Sequence, residues 1–130
     1  MKTILVDAVY AFVIETEGGF KVFDDMRKML DGFPNRKIVL TGADDEQFKT
    51  FGLEKVPYKV FSLKHDPEKT NPEYYKKMLE YFNLEKEDVV YFEHNFEAAE
   101  SARSAGIRTY LWDDKKRPLE ELKTFLKENI

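Results

Sequence analysis

The stretch Lys2-Thr3-Ile4-Leu5-Val6-Asp7-Ala8-Val9 decides how the chain is read. An apolar run from Lys2 to Val6 that stops at a carboxylate is the pattern of a buried parallel strand. Such a strand meets helices on both faces and so shows no alternation. Working outward, the same pattern returns at Ile38 to Leu40, which ends at Thr41-Gly42, and at Asp88 to Phe92, which ends at Glu93-His94-Asn95. Lys59 to Leu63 and Ile107 to Trp112 complete a set of five strands. Ala11 to Ile14 and Phe20 to Phe23 flank Glu17-Gly18-Gly19, which predicts a small β-hairpin.

Helical spacing fills the intervals. Met26, Met29, Leu30 and Phe33 make one apolar stripe, with Asp24 and Asp25 at its favourable end and Gly32 and Pro34 as its stop. Asp44 caps a short helix that carries Phe48 and Phe51 and ends at Gly52. Asn71-Pro72 joins an N-cap to a proline at the first helical position, and Tyr75, Met78, Leu79 and Phe82 follow as a stripe. An alanine-rich helix through Ala98, Ala99, Ala102 and Ala105 ends at Gly106, and Pro118 opens a last helix with Leu119, Leu122, Phe125 and Leu126. Strands alternating with helices predict βα units, hence a mostly parallel sheet covered on both faces.

The chain has 130 residues, which suits one domain spanning 1–130. Hydrophobic residues make up 42%, enough for one core, and a charged fraction of 35% argues for a solvated surface. A net charge of −4 disfavours non-specific nucleic-acid binding, which needs a positive field. With no cysteine there is neither a disulfide framework nor a thiolate metal site. The opening run meets Asp7 too soon for a signal peptide, and no apolar run is long enough to span a bilayer, so the expectation is a cytoplasmic protein without membrane contact.

Ligands of an open parallel sheet bind beyond the carboxyl ends of its strands. Those ends deliver Asp7, Thr41 with Gly42, and Glu93-His94-Asn95, while Lys69 precedes the Asn71 helix start on the same side. A carboxylate, a hydroxyl, an ammonium and a second acid on one rim suit a phosphate group and a hard cation. The first carboxylate can attack phosphorus while the hydroxyl and ammonium hold its charged oxygens.

This order of residues resembles the haloacid dehalogenase-like superfamily over nearly the whole chain. The resemblance implies a three-layer α/β/α, Rossmann-like domain with a five-stranded mostly parallel sheet, a small hairpin flap after the first strand and no cap domain. The family's first motif is Asp-x-Asp after a strand, and Asp7-Ala8-Val9 takes its place. It makes Asp7 the nucleophile and puts Val9 where the general acid/base stands. Ile38-Val39-Leu40-Thr41 matches the second motif and Lys69-Thr70-Asn71-Pro72 the third, with Lys64 as a weaker alternative for the lysine. Counting back from Ala105-Gly106 places Glu93 and His94 at the fourth motif, with no further acid at Ala98. The implied catalytic residues are Asp7, Thr41 and Lys69. Substrate binding falls to Thr41, Gly42, Lys69 and Asn95, and a degenerate Mg²⁺ site to Asp7, Glu93 and the Val9 carbonyl.

Valine transfers no proton, and loss of a positioned acid/base typically costs about 10²- to 10⁴-fold in rate. Two functions therefore stand side by side. One is a phosphohydrolase or phosphotransferase with impaired or specialised activity on a phosphorylated substrate. The other is an inactive relative that binds a protein partner or self-associates. A metal-free dehalogenase is weaker: Asp7-Ala8-Val9 resembles that enzyme's Asp-Ala-Tyr and Asn95 aligns with its Asn, but Glu93 adds an unwanted charge and no arginine stands ready for halide. A receiver domain would need its Asp after the third strand, where none stands. Considered singly, Asp7 and Thr41-Gly42 are also common turn formers and Glu93-His94 could be an exposed loop. Lys69 alone would read as a solvated charge, His94 as a surface or hydrogen-bonded residue, and His65 as a loop residue without chemistry.

Overall fold

The computed structural model describes residues 1–130. Its main sheet is parallel and has five strands. β1 (Thr3–Asp7) lies at the centre, flanked by β4 (Lys37–Thr41) and β6 (Val89–Glu93), with β5 (Lys59–Ser62) and β7 (Arg108–Leu111) at the edges. A separate antiparallel hairpin joins β2 (Val13–Thr16) to β3 (Gly19–Val22). The helices are α1 (Asp24–Asp31), α2 (Asp45–Thr50), α3 (Pro72–Phe82), α4 (Phe96–Ser104) and α5 (Leu119–Asn129). Only the hairpin and α1 stand between β1 and β4, so no cap domain is inserted there.

Alternation along the strands divides the core in two. Ile4 and Val6, Val39, and Val90 and Phe92 point to one face, where Met26 and Leu30 of α1 and Leu122 and Leu126 of α5 cover them. Leu5, Ile38 and Leu40, and Tyr91 point to the other, beneath Tyr74, Tyr75 and Met78 of α3 and Ala102 of α4. Residues 4 to 6 of β1 are fully buried, which is why that run carries no polar residue before Asp7.

Most element ends follow from local chemistry. Asp44 accepts from the Gln47 amide at 2.9 Å while the Gln47 side chain accepts from the Asp44 amide at 3.1 Å, a closed capping box. Asn71 caps α3 through the Glu73 amide at 3.0 Å, with Pro72 as the first helical residue. Gly106 follows α4 at φ 90°, a conformation that favours glycine, and a Cβ there would meet Lys86.

Three details differ from the sequence reading. The hairpin strands begin two residues later than the Ala11 run and one earlier than the Phe20 run, because Ala11 and Phe12 turn inward as core residues. In α3 it is Tyr74, beside Tyr75 and Met78, that is fully buried, whereas Leu79 and Phe82 are half-buried at its border. Gly32 ends α1 at φ −72°, so it acts without the left-handed turn. No helix is long and apolar enough to cross a membrane.

Replacing Asn71 with Ala is expected to lower stability by about 1 kcal/mol, the usual loss of an N-cap. Urea unfolding should show the midpoint falling at an unchanged slope. No fall in midpoint would show that Pro72 alone starts the helix.

Candidate active site

Strand order creates the site. The chain leaves β1 toward β4 and β5, then returns to pair β6 on the other side of β1. That reversal opens a crevice beyond the carboxyl ends of β1 and β6. Pairing of Asp7 with Leu40, and of Val6 with Phe92, brings the ends of three strands level. Asp7, Thr41 and Glu93 are thus gathered at one rim, and all three are buried.

Lys69 reaches this rim from the loop before α3. Its Nζ lies 2.9 Å from Asp7 Oδ1 and 2.6 Å from Glu93 Oε1, and donates to the Leu40 carbonyl at 3.3 Å. The loop is held from behind, because Ser101 Oγ of α4 donates to the Thr70 carbonyl at 2.6 Å. From the other side His94 closes the cluster. Its backbone amide donates to Asp7 Oδ2 at 2.9 Å, and its ring Nδ1 lies 2.5 Å from the same oxygen and 3.3 Å from Glu93 Oε2. Glu93 is fixed further by the Tyr91 hydroxyl, which donates to Oε1, and by the Asn95 amide, which donates to Oε2 at 2.9 Å.

The charges follow from these contacts. Burial pushes the Asp7 carboxyl above its ordinary value and the neighbouring Glu93 adds to this, while Lys69 and His94 pull it back. Burial also opposes ionisation of Glu93, but the Lys69 ammonium and the hydrogen bonds around it hold that carboxyl well below the usual range. Lys69 is buried too, yet its two carboxylate partners keep it charged far above its ordinary value. For His94 burial acts downward and is outweighed by the bonds to Asp7 and Glu93, so its pKa rises to about 10. Glu93, Lys69 and His94 are thus held in their charged forms, while burial and the Glu93 charge work against ionisation of Asp7.

Every residue expected at the site lines one cavity of about 240 Å³: Asp7, Val9, Thr41, Gly42, Lys69, Glu93 and Asn95. Thr41 Oγ1 accepts from the Ala43 amide at 3.2 Å, which leaves the hydroxyl proton free to donate. Asn95 spends its carbonyl oxygen on capping α4 through the Ala98 amide at 2.9 Å, and its amino group remains. No backbone donor takes the Val9 carbonyl. Glu93 is no exposed loop residue, being 1% exposed, and Lys69 is no solvated charge. Lys64 is elsewhere, paired with Asp45 at 3.0 Å in solvent.

His65 stands in a turn, as expected, but it also lines the cavity, pairs with Glu68 at 2.8 Å and bonds Gln47. The backbone turns there through positive φ at Lys64 and His65, which spacing does not announce. Also unforeseen was the tyrosine floor of Tyr74, Tyr75 and Tyr91. Tyr74 donates to the Thr41 carbonyl at 2.7 Å, and Lys69 Nζ lies 5.9 Å from the Tyr91 ring centre. The available signal was the two-residue period of β6, which puts Tyr91 on the same face as Glu93.

Asp7, Glu93 and His94 offer ligand atoms that all lie within 4.8 Å of one another, a set that could hold a metal ion. The two carboxylates and the unclaimed Val9 carbonyl are oxygen donors of the kind Mg²⁺ takes. No arginine lines the cavity, which removes the usual halide ligand of a dehalogenase.

No family model matches the chain, and no curated protein matches it. Solved structures do. A HAD family enzyme from Bacteroides thetaiotaomicron, a mutant in complex with magnesium and inorganic phosphate, is 11% identical, with a TM-score of 0.67 over 88% of this chain and 95% of that one. This chain has the haloacid dehalogenase-like fold. A candidate beta-phosphoglucomutase from Thermotoga maritima aligns over all of both chains at 18% identity and a TM-score of 0.62. A haloacid dehalogenase-like protein of unknown function from Agrobacterium tumefaciens, 20% identical with a TM-score of 0.60, matches over 74% of this chain and 47% of its own.

The raised pKa of His94 has a definite sign for stability. Its contribution is complete below the ordinary value of 6.5 and is lost as pH rises toward 10. In metal-free protein, the stability gap between wild type and His94→Gln should therefore narrow across that interval when followed by urea unfolding. A gap constant with pH would contradict the ion pairing described.

Proposed function

We propose that the chain is a phosphoryl-transfer domain in which Asp7 accepts a phosphoryl group and releases it slowly. The observation that carries this reading is the convergence of Asp7, Thr41 and Lys69 on one strand-end cavity. In such a site the Asp7 carboxylate forms a bond to phosphorus as the ester oxygen leaves. The Lys69 ammonium and the Thr41 hydroxyl stand beside that carboxylate, where negative charge gathers on the phosphoryl oxygens. A divalent cation, when bound by the Asp7 and Glu93 carboxylates and the Val9 carbonyl, would supply further positive charge for the same oxygens.

Val9 sets the rate. No carboxylate at that position protonates the departing oxygen, so substrates with good leaving groups, such as aryl or acyl phosphates, react first. Nor does one draw a proton from the water that must later attack the aspartyl phosphate, so the covalent intermediate outlives its formation. The fold's relatives include an enzyme solved with magnesium and phosphate, which supports a phosphate ester as ligand class.

A second reading, binding of a phosphorylated partner without turnover, is favoured by one feature. Each oxygen of Asp7 and Glu93 already receives a donor from Lys69, His94, Tyr91 or Asn95. An anion would then be held by Lys69, Thr41 and the His94 ring edge, with Asp7 as their organiser.

Hydrolysis of an aryl phosphate with excess Mg²⁺ separates the two. Slow hydrolysis that disappears in Asp7→Asn is expected, and Val9→Asp should raise the rate about a hundredfold or more. Wild-type activity no greater than that of Asp7→Asn would move the weight to the binding role.

A further inference from the structure

The place of the His94 ring has a consequence for metal binding. A cation shared by Asp7 and Glu93 must approach Asp7 Oδ2 and Glu93 Oε2, and these are the two oxygens that His94 Nδ1 contacts, at 2.5 and 3.3 Å. An ionised carboxylate only accepts hydrogen bonds, so Nδ1 is the donor and directs a proton, not a lone pair, at this space. The separation from Oδ2 is also that of a hydrogen bond. The ring therefore stands, proton first, against the same two oxygens that a cation would use.

We propose that the His94 ring and a divalent cation compete for one position between Asp7 and Glu93, so that the cation enters only when the ring swings out.

The exchange requires little else to move. The His94 side chain is 25% exposed, and its backbone amide holds Asp7 independently of the ring. Rotation about the Cα–Cβ bond takes the ring away from Asp7 Oδ2 and Glu93 Oε2 together, leaving each with one backbone amide, while Lys69 keeps its hold on Oδ1 and Oε1. Tyr10 limits the rotation. Its ring meets the His94 ring edge-on with centres 5.7 Å apart, and its backbone takes φ 69°, a conformation that bulky residues rarely adopt. Tyr10 is thus a positioning residue that holds the ring inward. This inference rests on the cluster's geometry and does not depend on turnover.

Calorimetric titration of Mg²⁺, and separately of Mn²⁺, into wild type and His94→Ala tests the competition. Removing a competitor should tighten cation binding by about tenfold or more, the scale on which neighbours of a metal site act. Equal or weaker binding by His94→Ala would overturn the proposal, weaker binding meaning that His94 is a ligand. Failure of both proteins to bind would overturn it as well. If His94→Ala does not fold, His94→Asn serves the same comparison, and the wild type carries its own readout by nitrogen-detected NMR. The hydrogen-bonded Nδ1 signal should vanish in step with cation occupancy. A signal unchanged at saturating cation would contradict the exchange.

Discussion

The Lys69 ammonium, shared between Asp7 and Glu93, is the interaction on which the rest of the site depends. Two carboxylates buried side by side repel each other and lose their hydration, and neither could stay ionised without a counter-charge. Lys69 supplies that charge at 2.9 and 2.6 Å, from a loop that the fold must hold in place. Ser101 of α4 grips the loop at Thr70, and the Asn71 cap starts α3 immediately after it. Removing one partner of a buried ion pair costs about 3–5 kcal/mol, because it strands the other. The same contacts therefore also tie the ends of β1 and β6 to the loop before α3.

His94 alters what that arrangement does. The imidazole ring adds a second positive group against Asp7 and Glu93, on the side away from Lys69 Nζ. His94 thus adds a positive charge of the chain's own beside the two carboxylates, and Val9 lines the cavity without a carboxyl group. Neither feature removes Asp7, Thr41 or Lys69 from the cavity.

Much of this was legible in the sequence, for a physical reason. Buried parallel strands must be apolar throughout, so the first polar residue after each marks the rim, and Asp7, Thr41 and Glu93 were found in that way. The helix starts at Asp44 and Asn71 were legible because caps are local chemistry. What the sequence hid depends on contacts between distant residues. Glu93 could have been a solvated loop until Lys69 and Tyr91 were seen to claim it, and nothing in the spacing joins position 69 to position 93. His94 bonds a residue at the far end of the chain, and His65 reaches the cavity through two left-handed residues that no local pattern requires. The tyrosines beneath the site, Tyr74, Tyr75 and Tyr91, are core residues as well, so burial alone does not mark them out.

The most direct test of the account is the mass of the intact protein after brief exposure to an acyl phosphate donor with Mg²⁺. The account predicts a gain of one phosphoryl group in the wild type, stable for longer than the dead time of the measurement and absent from Asp7→Asn. No adduct on the wild type, or one that persists in Asp7→Asn, would contradict it.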